Sequence, residues 1–228
     1  MGEFQEQLQL AFDTEKGQVI RDCMPDGDAE AVLVAVAKAS KRLNSTMIAV
    51  LNHADAKLDC RNGCDYCCSF KVEVGAEEVF AIKHFVDSTF TPSQKDATLE
   101  RARANSKLVS TLSQSKRILT NIPCAFLLDR SCSVYSVRPA MCRKLHSTDV
   151  KACKQSFDNP ADATVSNAEH AVVSAISMTA IAAVREGIKE SGFDSTIYDL
   201  IDVVVDAFEN PKCESRWGQG KKAFPGSG

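Results

Sequence analysis

Residues 60–70 read CRNGCDYCCSF, and four cysteines, Cys60, Cys64, Cys67 and Cys68, fall within nine positions. Wound as an α-helix at 100° per residue, they would lie at about 0°, 40°, −20° and 80°, all on one face. If Asn62-Gly63 breaks the helix instead, the same spacing makes a knuckle whose sulfurs converge. Either way the thiols crowd one another. Crowded thiolates repel and exposed pairs oxidise. A bound cation removes both problems, because it takes the thiolate as ligand and neutralises its charge. A disulfide within the stretch is disfavoured, since adjacent cysteines such as Cys67 and Cys68 bridge only with strain. Whatever fold the chain adopts must bring partners to this segment.

The remaining partners lie far along the chain. Cys124, Cys132 and Cys142 follow at wide spacing, and Cys153 in DVKACKQSF is available as an eighth. The candidate metal ligands are therefore Cys60, Cys64, Cys67, Cys68, Cys124, Cys132, Cys142 and Cys153. Thiolate-rich ligation favours zinc, an iron–sulfur cluster or Cu(I) over magnesium or calcium. Four thiolates around a divalent ion leave a net charge of about −2, and nearby cations offset it. Arg61, Lys71, Arg130, Arg138, Arg143, Lys144, Lys151 and Lys154 crowd the cysteines; Arg138 and Arg143, flanking Pro139 and Cys142, are the better candidates for that role. Of the four histidines, His53, His84 and His170 fall in expected helices. His146 lies four residues after Cys142 and is the one to follow.

The compartment bears on this chemistry. Ten cysteines in 228 residues is many for a chain whose 44% hydrophobic and 25% charged content is that of an ordinary globular protein. A chain this long needs no covalent staples. The N-terminus lacks a basic start followed by an apolar run, and stretches such as AVLVAVA fall short of the roughly 18–20 residues needed to cross a bilayer. The expectation is a cytoplasmic protein, where clustered cysteines bind metal or do chemistry. A net charge of −3 gives no electrostatic case for nucleic acid or an anionic membrane.

Periodicity predicts an irregular, mainly α bundle of about five helices with cysteine-rich loops and at most a small β element. The helices cover 26–58 with Asp26 or Asp28 as cap, GAEEVFAIKHFVDSTF, a stretch from Thr91 with Pro92 in its first turn, SNAEHAVVSAISMTAIAAVREGIKE capped by Ser166, and STIYDLIDVVVDAF capped by Ser195. KVEV at 71–74 reads as a short strand, and 122–146 as an irregular hairpin. Residues 1–210 form one helical domain with the cysteine core at 60–153, and the Gly-, Pro- and Lys-rich 211–228 reads as a flexible tail. Cys23 is expected to be partly buried, and Cys213 a loose thiol in that tail.

Together, CRNGC-DYCC, the acidic helix start at Glu77-Glu78, Cys124 with Phe126-Leu127, Cys132 with Val134-Tyr135, and Arg138-Pro139 with Cys142-Arg143 resemble the YkgJ-like cysteine-cluster family. That family is described as a putative zinc- or iron-chelating domain. Ala125 departs from it, standing where the family often has proline. The resemblance spans about residues 60–146 and implies metal chelation by the shared cysteines. It implies little about reaction, although some members, the flagellin lysine-N-methylases, are enzymes with a longer chain.

The leading reading is thus a zinc- or iron-binding protein, the metal mononuclear or in an iron–sulfur cluster. Its rival is an iron- or Fe–S-dependent redox or transfer enzyme with an open coordination position, and a third reading is a metal carrier or sensor. Cys60-x3-Cys64-x2-Cys67 is also the spacing of radical S-adenosylmethionine enzymes. Those need a preceding strand and an alternating barrel, whereas here a long helix precedes and helices follow. His146 beside Cys142 is the only local base–thiol pair. Glu73, Glu77, Glu78 and Asp87 could hold a second metal or act as a base, but carboxylates at a helix start ordinarily serve the helix dipole.

Overall fold

The computed structural model describes residues 2–24, 26–165 and 168–227. Its helices are α1 (Glu3–Cys23), α2 (Ala29–His53), α3 (Ala76–Thr89), α4 (Pro92–Val109), α5 (Gln114–Ile118), α6 (Ala140–Lys144), α7 (Val150–Asp158), α8 (Ala171–Glu190), α9 (Leu200–Glu209) and α10 (Pro211–Trp217). The mainly α expectation holds. The helix count is higher because α1 carries only a weak apolar stripe and α5, α6, α7 and α10 are too short to show a period.

Local chemistry sets the boundaries. Asp28 caps α2, its Oδ1 accepting the Ala31 N–H at 2.9 Å. Thr91 and Gln94 form a reciprocal capping box on α4, with Pro92 in the first turn. Two expected caps do not hold. Ser166 lies outside the described residues, and α8 opens only at Ala171, capped by His170. α9 opens at Leu200 rather than near Ser195, because Tyr198–Asp199 pairs as a strand with Glu73–Val74, the short strand expected in KVEV. Asp199 then caps α9. The same carboxylate meets the Arg117 Nε at 2.9 Å in a buried ion pair that ties α5 to α9.

α1 lies along α8, and both pack on α2. α8 is long and apolar enough to cross a membrane by length and composition; here its Val173, Ile181, Ala183 and Ile188 are buried. The main core gathers side chains from α1, α2, α3 and α9 and from the C-terminal segment.

That segment departs from the sequence expectation. In place of a loose tail, residues 211–227 form α10 and a closing loop. Trp217 and Phe224 are 0% exposed. Phe80 lies 5.2 Å from Trp217 and 5.6 Å from Phe224, ring centre to ring centre, and Tyr198 lies 5.1 Å from Phe224. Asp194 fastens the loop by accepting from the Tyr198 hydroxyl at 2.6 Å and the Ala223 N–H at 2.8 Å. The physical reason is that composition averaged over the tail hides two aromatics, and burying each contributes about 1.5–3 kcal/mol. Cys213, expected to be loose, is buried with them, as is Cys23.

Candidate metal centre

The first cysteine segment is a knuckle rather than a helix. Gly63, at φ 84°, takes the left-handed conformation open to glycine, and the Cys64 N–H closes the turn on the Arg61 carbonyl at 3.0 Å. A 3₁₀ turn, Tyr66–Ser69, carries Cys67 and Cys68.

The second segment is laid against it by backbone. The Cys124 N–H donates to the Cys68 carbonyl at 2.8 Å, and the Ile122 N–H to that of Ser69 at 2.9 Å. The expected hairpin then pairs Leu127–Leu128 with Ser131–Cys132. Its turn residues, Asp129 and Arg130, both have positive φ, as a two-residue type I′ turn requires. The Ser131 hydroxyl reaches the Asn62 side chain at 2.9 Å, and Arg130 pairs with Asp65 at 3.1 Å. A second 3₁₀ turn, Tyr135–Val137, leads into α6 and Cys142. Glu78 of α3 caps α6 by accepting the Ala140 N–H at 2.6 Å.

Sequence reasoning missed how α7 joins. The Ser147 N–H donates to Cys60 Sγ at 3.2 Å, and the Asp59 carboxylate accepts the Val150 N–H at 3.0 Å. Tyr66 and Phe157 pack with ring centres 5.6 Å apart. Cys153, on α7, is thereby carried to the Cys60 side of the knuckle. The readable signal was Asp149, which caps α7.

All ten cysteines are free thiols. Their electrostatics record who neighbours whom. Burial pushes the Cys60 thiol up, and the charges of Cys67, Cys64 and Cys153 push it further. Cys64 is raised by burial and then by Cys67 and Cys153. Cys67 is raised far up by its hydrogen bond with Cys68 and by burial. Burial lifts Cys124 to about 11, with Cys132 as its thiol neighbour. Cys142 is raised well up by burial, then by Cys124 and Cys132. Burial raises Cys132 too, against the Val134 N–H and the charges of Arg138 and Arg143. Arg143 is itself only 6% exposed and donates to the Ser136 carbonyl at 2.5 Å.

His146 is not available to these thiols. Its Nδ1 meets the Lys144 carbonyl at 2.8 Å and its Nε2 accepts the His170 N–H at 2.8 Å, so both ring nitrogens are spent on backbone. Asp87 pairs with Lys83 and Lys95, Glu73 with Lys71, and His84 with Glu214.

Residues 59–164 resemble one known family. They match the model described as "CxxCxxCC: Putative zinc- or iron-chelating domain". Residues 59–164 are thus similar to the CxxCxxCC domain. No curated protein and no solved structure matches the chain. The CxxCxxCC match covers somewhat less than half of the chain and supports binding of zinc or iron in general. It takes in every cysteine of the two segments. By chemistry the donors suit a thiophilic metal: eight unpaired sulfurs on abutting elements, flanked by arginines. Among the described residues, no three His, Cys, Asp or Glu side chains converge closely enough to hold an ion as they stand. The sulfurs of the CxxCxxCC segment are neighbours, and ligation requires them to draw in further.

Proposed function

We propose that the protein chelates zinc or iron with thiolates from residues 60–68 and 124–153, the metal closing one end of the helical body. The observation that carries this reading is the backbone stitching of the two segments. The Cys124 N–H bonds to Cys68 and the Ser147 N–H to the Cys60 sulfur. Structure that fixes main chain while leaving eight thiols unpaired is what a thiolate metal site needs before its ion arrives. The commitment of both His146 nitrogens weighs against Cys142 as a histidine-activated nucleophile, and so favours binding over acyl-transfer chemistry. Unpaired thiols in this number suit a reducing compartment such as the cytoplasm. Iron ligated by thiolates alone would favour an iron–sulfur cluster, whereas zinc with four thiolates would be a closed structural site.

The test is purification without air, followed by counting metal and acid-labile sulfide per chain. Bound zinc without colour supports the structural site; iron with sulfide and brown colour supports the cluster. Cys64→Ser should lower both metal content and melting temperature, while Cys213→Ser should leave metal content unchanged. A protein that takes up neither metal under reducing conditions would refute the reading.

A further inference from the structure

Building on that reading, we infer that the eight cysteines form two adjacent four-thiolate centres: Cys60, Cys64, Cys67 and Cys153 in one, Cys68, Cys124, Cys132 and Cys142 in the other. Three observations carry the division.

The first is the framework. Cys60 is bound through its sulfur to the Ser147 N–H, and Asp59 holds the first turn of α7. Tyr66 packs on Phe157 at the far end of α7. The knuckle and α7 therefore move as one piece, and that piece contains Cys60, Cys64 and Cys153. Cys68 belongs to the other side, because its carbonyl receives the Cys124 N–H at 2.8 Å. Cys132 sits in the hairpin that Cys124 opens, and α6 brings Cys142.

The second is the 3₁₀ turn at Tyr66–Ser69. With three residues per turn, neighbouring side chains point roughly 120° apart. Cys67 and Cys68 are adjacent yet face different directions, so the pair gives one thiol to each centre.

The third is that each group has its own cations. An open cleft of about 350 Å³ beside Cys64 is lined by Arg61, Arg130, Lys151 and Lys154. At the other group, the Arg101 Nε donates to the Ala125 carbonyl beside Cys124 at 3.0 Å, and Arg143, next to Cys142, is buried and donates to the Ser136 carbonyl. A divalent ion with four thiolates carries about −2, and two such centres call for two separate sets of positive charge. Cys153 then has a definite role, as the ligand that α7 adds to complete the knuckle centre.

The full chain, reduced and free of oxygen, is titrated with Co(II) alone, whose visible absorption reports tetrahedral thiolate ligation, and ions per chain are counted by native mass spectrometry. The wild type should take two ions. Cys153→Ser and Cys132→Ser should each abolish or distort the spectrum of one ion and leave that of the other unchanged, and the double variant should lose both spectra. Should Cys153→Ser disturb folding, Cys64→Ser reports on the same centre. Wild-type binding of one ion, an unchanged spectrum in Cys153→Ser, or loss of both ions from either single variant would overturn the two-centre assignment and leave chelation standing. No binding at all by the wild type would overturn both.

Discussion

The aromatic end of the molecule and its cysteine end are held in opposite ways. At the aromatic end, Phe80, Tyr198, Trp217 and Phe224 are each no more than 1% exposed. Dispersion and burial suffice there, and nothing outside the chain is needed. At the cysteine end the elements are two-residue strands, 3₁₀ turns and helices of five and nine residues. Burial first, and neighbouring thiols second, raise the pKa values of Cys60 and Cys142 there. Elements that short do not stand alone. One end is finished by its own sequence; the other is arranged for a ligand to finish. A chain can be stable enough to present a reactive cluster if the stability comes from elsewhere.

The hardest blow to this contrast is Trp217→Ala. It removes the ring that packs on Phe80 and Phe193 and should cost about 3–5 kcal/mol, read by denaturant unfolding. Metal per folded chain should stay at the wild-type value. A variant that unfolds no more easily, or that folds but loses metal, would show that the ends are not separable.

Glu77 sits at the seam and probes it more gently. Its carboxyl is buried with Oε2 lacking any hydrogen-bond partner, in a small cavity between α2 and α8 that also contains Arg185. Burial first, and the Glu78 charge second, push its pKa from 4.5 up to about 8. Burial raises Glu78 as well, against the N–H donors of Ala140 and Gly75. With only its own backbone N–H donating to the charged form, Glu77 is the member that keeps the proton. The folded state thus holds a proton that the unfolded chain releases above 4.5. Stability contributed by the neutral acid is complete below 4.5 and is lost as pH rises through about 8. Glu77→Gln should flatten that slope and gain roughly 1–3 kcal/mol near pH 8, with little change near pH 4. Parallel pH profiles of unfolding for variant and wild type would count against a protonated Glu77.

How much of this could be read from residues alone follows the same divide. The cysteine spacing pointed to the zinc- or iron-chelating domain that residues 59–164 resemble, because thiol clusters are written in residue type. Asp28, Thr91 and Pro92 placed helix starts, because caps are local. The C-terminal segment was misread because Trp217 and Phe224 are isolated in a polar stretch, and only the tertiary cleft around Phe80 gives them a reason to be there. Ser195 failed as a cap because strand pairing at Tyr198–Asp199 competed for the same residues. The attachment of α7 rests on one sulfur hydrogen bond, one capping carboxylate and one ring contact across more than eighty residues, and no local pattern encodes it.

The smallest expected effects come from two glycines in the helical frame, where the cysteine end should not be felt. Gly187 lets α8 approach α1 closely: a Cβ there would meet the Val19 side chain at 2.8 Å and the Lys16 carbonyl at 3.2 Å. Gly187→Ala should therefore destabilise by about 1–3 kcal/mol through overpacking, despite alanine's better helix propensity. Gly17, on the facing helix, is free of that constraint, since its Cβ would meet only the flexible end of Arg21 at 3.3 Å. Gly17→Ala should stabilise by about 0.5–1 kcal/mol. Opposite signs from the same substitution on two touching helices, at constant metal content, would show that close backbone approach at Gly187 sets the spacing of α1 and α8. If Gly187→Ala also released metal, strain at the α1–α8 contact would be reaching the thiolates through α6, which packs on α8. The frame and the cysteine end would then have to be treated as one mechanical unit.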